Sequence, residues 1–178
     1  MWNVGSRINY LLYFLFAKWL PESRRMNSAN MLRTFFSKNI LKNVGKKVTI
    51  ERGAYFTPGV SLGNYSGIGV NCELYAVNGG EIIIGDYVMM GPECVIYTSS
   101  HTHSRTDIPM QKQGMSEPQN VVIGDDVWIG RRVSIMPGVT IGKGCIIGTG
   151  AVVTKSIPDY SVAVGVPARV VKNRKNNE

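Results

Sequence analysis

Two histidines, His101 and His103, are the only imidazoles in this chain of 178 residues. Histidine can be a neutral base near pH 7 and still hold the proton it removes, so His101 is the first candidate for general-base work. It closes the run YTSSH and is followed by residues 102–120 (THSRTDIPMQKQGMSEPQN), which carry no periodicity. Zinc hydratase chemistry that needs three histidines has too few ligands here, and no metal is expected. The three cysteines, Cys72, Cys94 and Cys145, imply no disulfide framework and read as small core residues.

What presents His101 is a repeat. Every sixth residue of the last third is aliphatic (Ile123, Ile129, Ile135, Ile141, Ile147, Val153), and glycine follows four of them directly. A period of six fits neither an α-helix nor one long strand, so it belongs to a stacked repeat. Backwards, the register runs through Val44, Ile50, Phe56, Leu62, Ile68 and Leu74, slips by four residues at Val77–Gly80, then resumes at Ile84, Met90 and Ile96. The residue four places after each aliphatic is again small or apolar, as at Val48, Ala54, Ser66, Cys72, Cys94, Val127 and Cys145. Two inward side chains per hexamer give a short strand and a corner, and three hexamers close a coil of eighteen residues. Successive coils then pair as parallel strands.

The register makes specific demands. Asn71, Glu93, Arg132 and Gly150 should form one column, with Glu93 beside Arg132 although the loop separates them. Cys72 should lie beside Cys94 one coil away, and Cys145 on another side. A long insertion inside a strict repeat reads as a functional loop, with His101 on the corner where it departs.

The sequence divides into an N-terminal helical segment (1–40), an all-β body (41–160) with the protruding loop 102–120, and a C-terminal extension (161–178). The run YLLYFLFA, flanked by Trp2 and Trp19 and closed by Pro21, predicts a short helix ending near Leu20. It is too short to cross a bilayer, which takes about 20 apolar residues. A helix here is expected to cover the open first coil, with residues 8–20 a candidate peripheral contact with the inner membrane face. Arg24, Arg25, Arg33, Lys38, Lys42, Lys46 and Lys47 supply much of the formal +8 charge. Without an aromatic-basic platform, a nucleic-acid partner is not expected. No cleavable signal is evident, and the cytoplasm is the expected compartment.

The run VVIGDDVWIGRRVSIMPGVTIGKGCIIGTGAVVTKSIPDYSVAVGVPARVVK (121–172), preceded by MMGPECVIYTSSH, resembles the hexapeptide-repeat O-acetyltransferases that act on galactosides, maltose and nodulation factors. The resemblance covers residues 44–172. It implies a left-handed parallel β-helix, a homotrimer with its active site between two subunits, and acetyl-CoA as co-substrate.

By the same resemblance His101 is the general base. Trp128, Gly130, Arg131, Thr149, Thr154, Lys155, Arg169 and Lys172 match the groove for CoA, and Asn71 and Glu93 match acceptor contacts. The chain departs from the maltose and galactoside enzymes in reading SHTHSRTDIPM where their histidine is commonly followed by proline, and in its aromatic N-terminal helix. These departures point to a hydroxyl of a bacterial polysaccharide precursor over free maltose. The alternatives on the same fold are an acetyltransferase that inactivates streptogramins or chloramphenicol, and a non-catalytic assembly subunit.

Overall fold

A computed structural model describes residues 4–175 of the chain; Trp2 lies outside them. From Asn43 onward the chain winds as a triangular left-handed parallel β-helix. The first face stacks Asn43–Val44, Val60–Leu62, Ile82–Ile84, Val121–Ile123 and Thr140–Ile141. The second carries Thr49–Ile50, Gly67–Ile68, Met89–Met90, Trp128–Ile129, Ile146–Ile147 and Ser161–Val164, the last paired antiparallel with Arg169–Asn173. The third stacks Tyr55–Phe56, Glu73–Tyr75, Val95–Tyr97, Ser134–Ile135 and Val152–Val153. Parallel pairing thus continues one strand beyond residue 160.

The core is the repeat itself. Ile50, Phe56, Ile68, Leu74, Ile96, Ile129, Ile135 and Val153 are fully buried, and so are the small residues Ala54, Cys72, Cys94, Val127, Val133 and Cys145. Two inward side chains per hexamer leave no room for water inside the triangle, so the hydrophobic effect drives the winding while parallel ladders satisfy the backbone. The four-residue slip lies where the register required it: Val60–Leu62 pairs with Ile82–Ile84 across the turn at Val77–Gly80. Cys94 N donates to Cys72 Sγ at 3.4 Å across adjacent coils, and Cys145 lies on another side, its Sγ donating to Pro158 O at 3.0 Å.

The N-terminal segment holds two helices and a turn. Helix α1 (Val4–Leu15) is followed by a 3-10 turn (Ala17–Trp19) and by helix α2 (Asn27–Ser37). Hydrophobic periodicity does not reveal α2, because the stripe it buries is Ala29, Arg33 and Ser37. Together the helices cap the open first coil. Tyr13 is buried against Phe56, and its hydroxyl donates to Ala54 O at 3.0 Å. Gly53 N donates to Lys18 O, Ile50 N to Asn30 Oδ1, and Arg33 Nε to Ile50 O. Backbone groups that no strand pairs are satisfied by these helices, as the end of a repeat stack requires.

Candidate functional site

His101 lies just beyond the third-face strand Val95–Tyr97, where the loop begins. Small polar residues clamp the two limbs together at that point. Thr98 O accepts from Gln119 N at 2.6 Å, and Thr98 Oγ1 accepts from Val77 N at 2.9 Å. Ser99 Oγ donates to Ser116 O at 2.8 Å, Ser116 N donates to Ser100 O at 2.7 Å, and Ser100 N donates to Ser116 Oγ at 3.1 Å. An antiparallel bridge between His101 and Met115, followed by Thr102 N donating to Gly114 O at 3.0 Å, completes the stem. The histidine is therefore held on fixed backbone while its side chain stays exposed. His103 Nδ1 lies 3.1 Å from His101 O and donates to it in the Nδ1-protonated tautomer. Ser99 and Ser116, which tie the two limbs of the loop together, are residues that the sequence did not single out. The signal for them was the run TSS ahead of the histidine, too common a composition to read alone.

A second group gathers on the second face and the corner it shares with the third. Trp128 is paired in register with Met89 and Ile146, and its side chain is half exposed. On the corner Asn71, Glu93 and Arg132 adopt left-handed φ angles of 53°, 61° and 56°, and each continues the column into the next coil. Glu93 N donates to Val70 O, Arg132 N to Pro92 O and Gly150 N to Arg131 O. The Glu93 carboxylate accepts from both Arg132 Nε and Arg131 Nη2, and these bonds hold its carboxyl below the usual carboxylate range. Gly130 packs so tightly on the next coil that a Cβ there would sit 2.6 Å from Thr149 N. Gly130 is itself buried and lets the two coils stack at this spacing, while Arg131 and Thr149 beside it are exposed on the outer edge.

The third group is at the C-terminal end. Lys155 and Arg169 line one cavity of about 300 Å³ with Ser156, Ile157, Ala168 and Val170. Thr154 follows the third-face strand Val152–Val153, and Lys172 pairs in register with Val162 on the antiparallel strand. Two cations around one cavity suit a phosphate.

One chain does not bring these groups into a single cleft. His101 and Thr154–Lys155 lie at the corner between the third and first faces, whereas Trp128, Gly130, Arg131, Thr149, Asn71 and Glu93 lie on the second face and the far corner of the third. Among the described residues no group of three His, Cys, Asp or Glu side chains could hold a metal ion.

Residues 120–155 match the family of bacterial transferase hexapeptides (six repeats). The solved structure of a maltose O-acetyltransferase from Clostridium difficile 630 is 32% identical with a TM-score of 0.77, over 95% of this chain and 86% of that one. A galactoside acetyltransferase solved in complex with coenzyme A is 29% identical with a TM-score of 0.79, over 96% of this chain and 80% of that one. WcaF of Escherichia coli (strain K12), which carries a colanic acid biosynthesis acetyltransferase name, is 32% identical over 90% of this chain and 82% of its own length. The chain spans 31%, 65% and 50% of the length of the first three curated relatives it matches. With the coil, the loop after His101 and these similarities together, the chain belongs to the hexapeptide-repeat acetyltransferases.

Proposed function

We propose that the protein transfers an acetyl group from acetyl-CoA to a hydroxyl of a sugar in a bacterial polysaccharide or its precursor. The observation that carries this reading is His101 itself: an exposed imidazole, clamped by the Ser99–Ser116 stem at the corner where the long loop 102–120 leaves the coil. A hydroxyl is a poor nucleophile at neutral pH. His101 takes its proton as the oxygen attacks the thioester carbonyl, and returns that proton to the departing CoA thiolate, so no net proton stays on the enzyme.

The co-substrate is assigned to the edge that exposes Trp128, Arg131 and Thr149, where the buried Gly130 sets the coil spacing. Lys155, Arg169 and Lys172 are assigned to its phosphates; because Lys155 shares the corner of His101, in this reading it reaches them from the subunit that supplies the base. Asn71 and Glu93 are the acceptor contacts in this reading. Galactosides, maltose and colanic acid appear in the names of the relatives, which supports a carbohydrate hydroxyl as the acceptor class.

The separation of His101 from the Trp128 edge supports a site shared between copies, and with it a homotrimer in which one subunit supplies the base and the next the CoA edge. Among the described residues no helix is long and apolar enough to cross a membrane. We place the protein in the cytoplasm, where acetyl-CoA is made available to it. Acetyl transfer measured on a panel of oligosaccharide precursors, with release of free CoA as readout, tests the reading. CoA release that no sugar hydroxyl accelerates would overturn it.

A further inference from the structure

The whole net charge of this chain lies at one end. Residues 1–47 carry nine Lys and Arg against one acid, Glu22, a net +8 equal to that of the entire sequence, so residues 48–178 are neutral as a group. The same end exposes apolar surface that the core does not use. On α1 and the turn after it Leu11, Leu15, Phe16 and Trp19, and on α2 Met31 and Phe35, are all between 55% and 77% exposed. Single exposed apolar side chains are ordinary, but six on two packed helices and the segment that joins them call for a partner.

Between α2 and the first coil runs a groove of about 1040 Å³, lined by Met31, Phe35 and Val48 together with Lys38, Lys46 and Lys47. None of these lysines is ion-paired among the described residues, and Lys47 Nζ rests 5.4 Å from the centre of the Tyr65 ring. Apolar walls and unpaired ammonium groups in one groove fit an amphiphile with an anionic head.

We propose that this end of the molecule docks on an anionic lipid bilayer. Helix α1 has 12 residues and a length of about 18 Å, short of the roughly 30 Å hydrocarbon core, so it lies in the interface. Leu11, Leu15 and Phe16 enter the acyl boundary, Trp19 sits at headgroup depth, and Lys38, Lys46 and Lys47 meet lipid phosphates around the groove. Charge decides against the other occupants. A second copy seated end to end on this surface would bring +8 against +8, which repels, whereas the proposed trimer associates through the sides of the coil. A nucleic acid would satisfy the lysines and leave the leucines and phenylalanines in water. The surface is at the opposite end of the coil from Lys155 and Arg169, so docking leaves the proposed CoA edge open.

Co-sedimentation of the full chain with vesicles of one-third phosphatidylglycerol in phosphatidylcholine, against pure phosphatidylcholine, is the test. Binding is expected only to the anionic vesicles, and it should weaken as salt rises. The triple variant Lys38→Gln, Lys46→Gln, Lys47→Gln and the double variant Leu15→Ser, Phe35→Ser should each lose at least about tenfold in affinity, with thermal midpoints at the wild-type value. Failure to sediment with anionic vesicles overturns the proposal. So does loss in the lysine variant with none in the apolar one, which marks a polyanion site. An oligomer that falls apart in the apolar variant, with no lipid binding by the wild type, assigns the face to a second copy and overturns it as well.

Discussion

Glu93 accepts a hydrogen bond from Arg132 Nε at 2.5 Å, although the two residues are 39 apart in sequence. The loop after His101 leaves and rejoins the coil at one corner, so it adds length to the chain without shifting the column. Arg131 donates to the same carboxylate, making a three-membered surface cluster. Glu93 titrates in the folded protein below its unfolded value. The folded state therefore binds fewer protons, and the contribution of Glu93 is present above the ordinary carboxylate pKa and fades as pH falls through the depressed folded value. In thermal unfolding, Glu93→Gln should melt slightly below wild type near pH 7, with the gap closing as pH drops below about 4. A gap that stays constant with pH would mean that the ion pairs contribute nothing.

If His101 is the base, as proposed, replacing it with Ala should reduce turnover by at least about 100-fold and leave CoA affinity nearly unchanged, because the loss falls on the transition state. Ser116→Ala should give a smaller decrease with the same pH profile, since Ser116 holds the stem and transfers no proton. Steady-state rates beside calorimetric titration with CoA separate the two. A His101→Ala protein at most of its wild-type rate removes this residue from the mechanism.

The proposed sharing of the site between subunits makes a prediction that no single-chain site makes. His101→Ala and Trp128→Ala proteins should each be inactive, and co-folding them in equal amounts should restore roughly a quarter of the sites, those pairing an intact His101 from one chain with an intact Trp128 from the next. Mixed oligomers no more active than their parents would confine the site to one chain. Light scattering should give the mass of three chains.

The coil was legible because its core is periodic in the sequence itself: an inward position such as Ile129 is followed six residues later by another, and a triangular section fixes which residues become neighbours. That spacing alone pairs Glu93 with Arg132 and Cys72 with Cys94, as the structure has them. It failed for α2, whose buried stripe is centred on a charged residue, Arg33, and so mimics a solvated basic segment. It was also silent on the clamp at Ser99 and Ser116, since hydrogen bonds between small polar residues leave no periodic trace. Positions such as Trp128 and Lys155 were visible only through resemblance, because what groups them is the stacking of distant coils.

Coil spacing can be tested at two glycines. A Cβ on Gly69 would sit 2.4 Å from Gly91 O and 2.5 Å from Met90 O, both backbone atoms of the next coil, which have no rotamer with which to move aside. Gly150, at φ +74°, has nothing within 4 Å of its Cβ position. Gly69→Ala should therefore cost on the order of 3 kcal/mol by forcing coils apart, and Gly150→Ala about 1 kcal/mol from backbone strain alone. Denaturation midpoints for the pair measure the difference. Equal midpoints would show that the coils slide freely past one another.

The N-terminal cap hangs on one guanidinium. Arg33 is fully buried: its Nε donates to Ile50 O at 2.5 Å, its Nη1 donates to Leu20 O and Pro21 O, each at 3.0 Å, and its Nη2 lies 3.8 Å from Glu51 Oε2. Burial pushes its pKa down, and Glu51 opposes that shift, but a guanidinium keeps its charge in either case. The carbonyls it reaches belong to three separate elements, the end of the 3-10 turn, the connection to α2 and the first coil. No other side chain type spans them with a planar fork, so Arg33→Lys should rescue little. Arg33→Met leaves the three carbonyls without this donor and should cost on the order of 3–5 kcal/mol. In hydrogen exchange, the amides of α1 and α2 should lose protection in this variant well before those of the coils around Ile129. An Arg33→Met protein within about 1 kcal/mol of wild type would mean that the helices are held by Tyr13 and Phe14 packing on Phe56 instead.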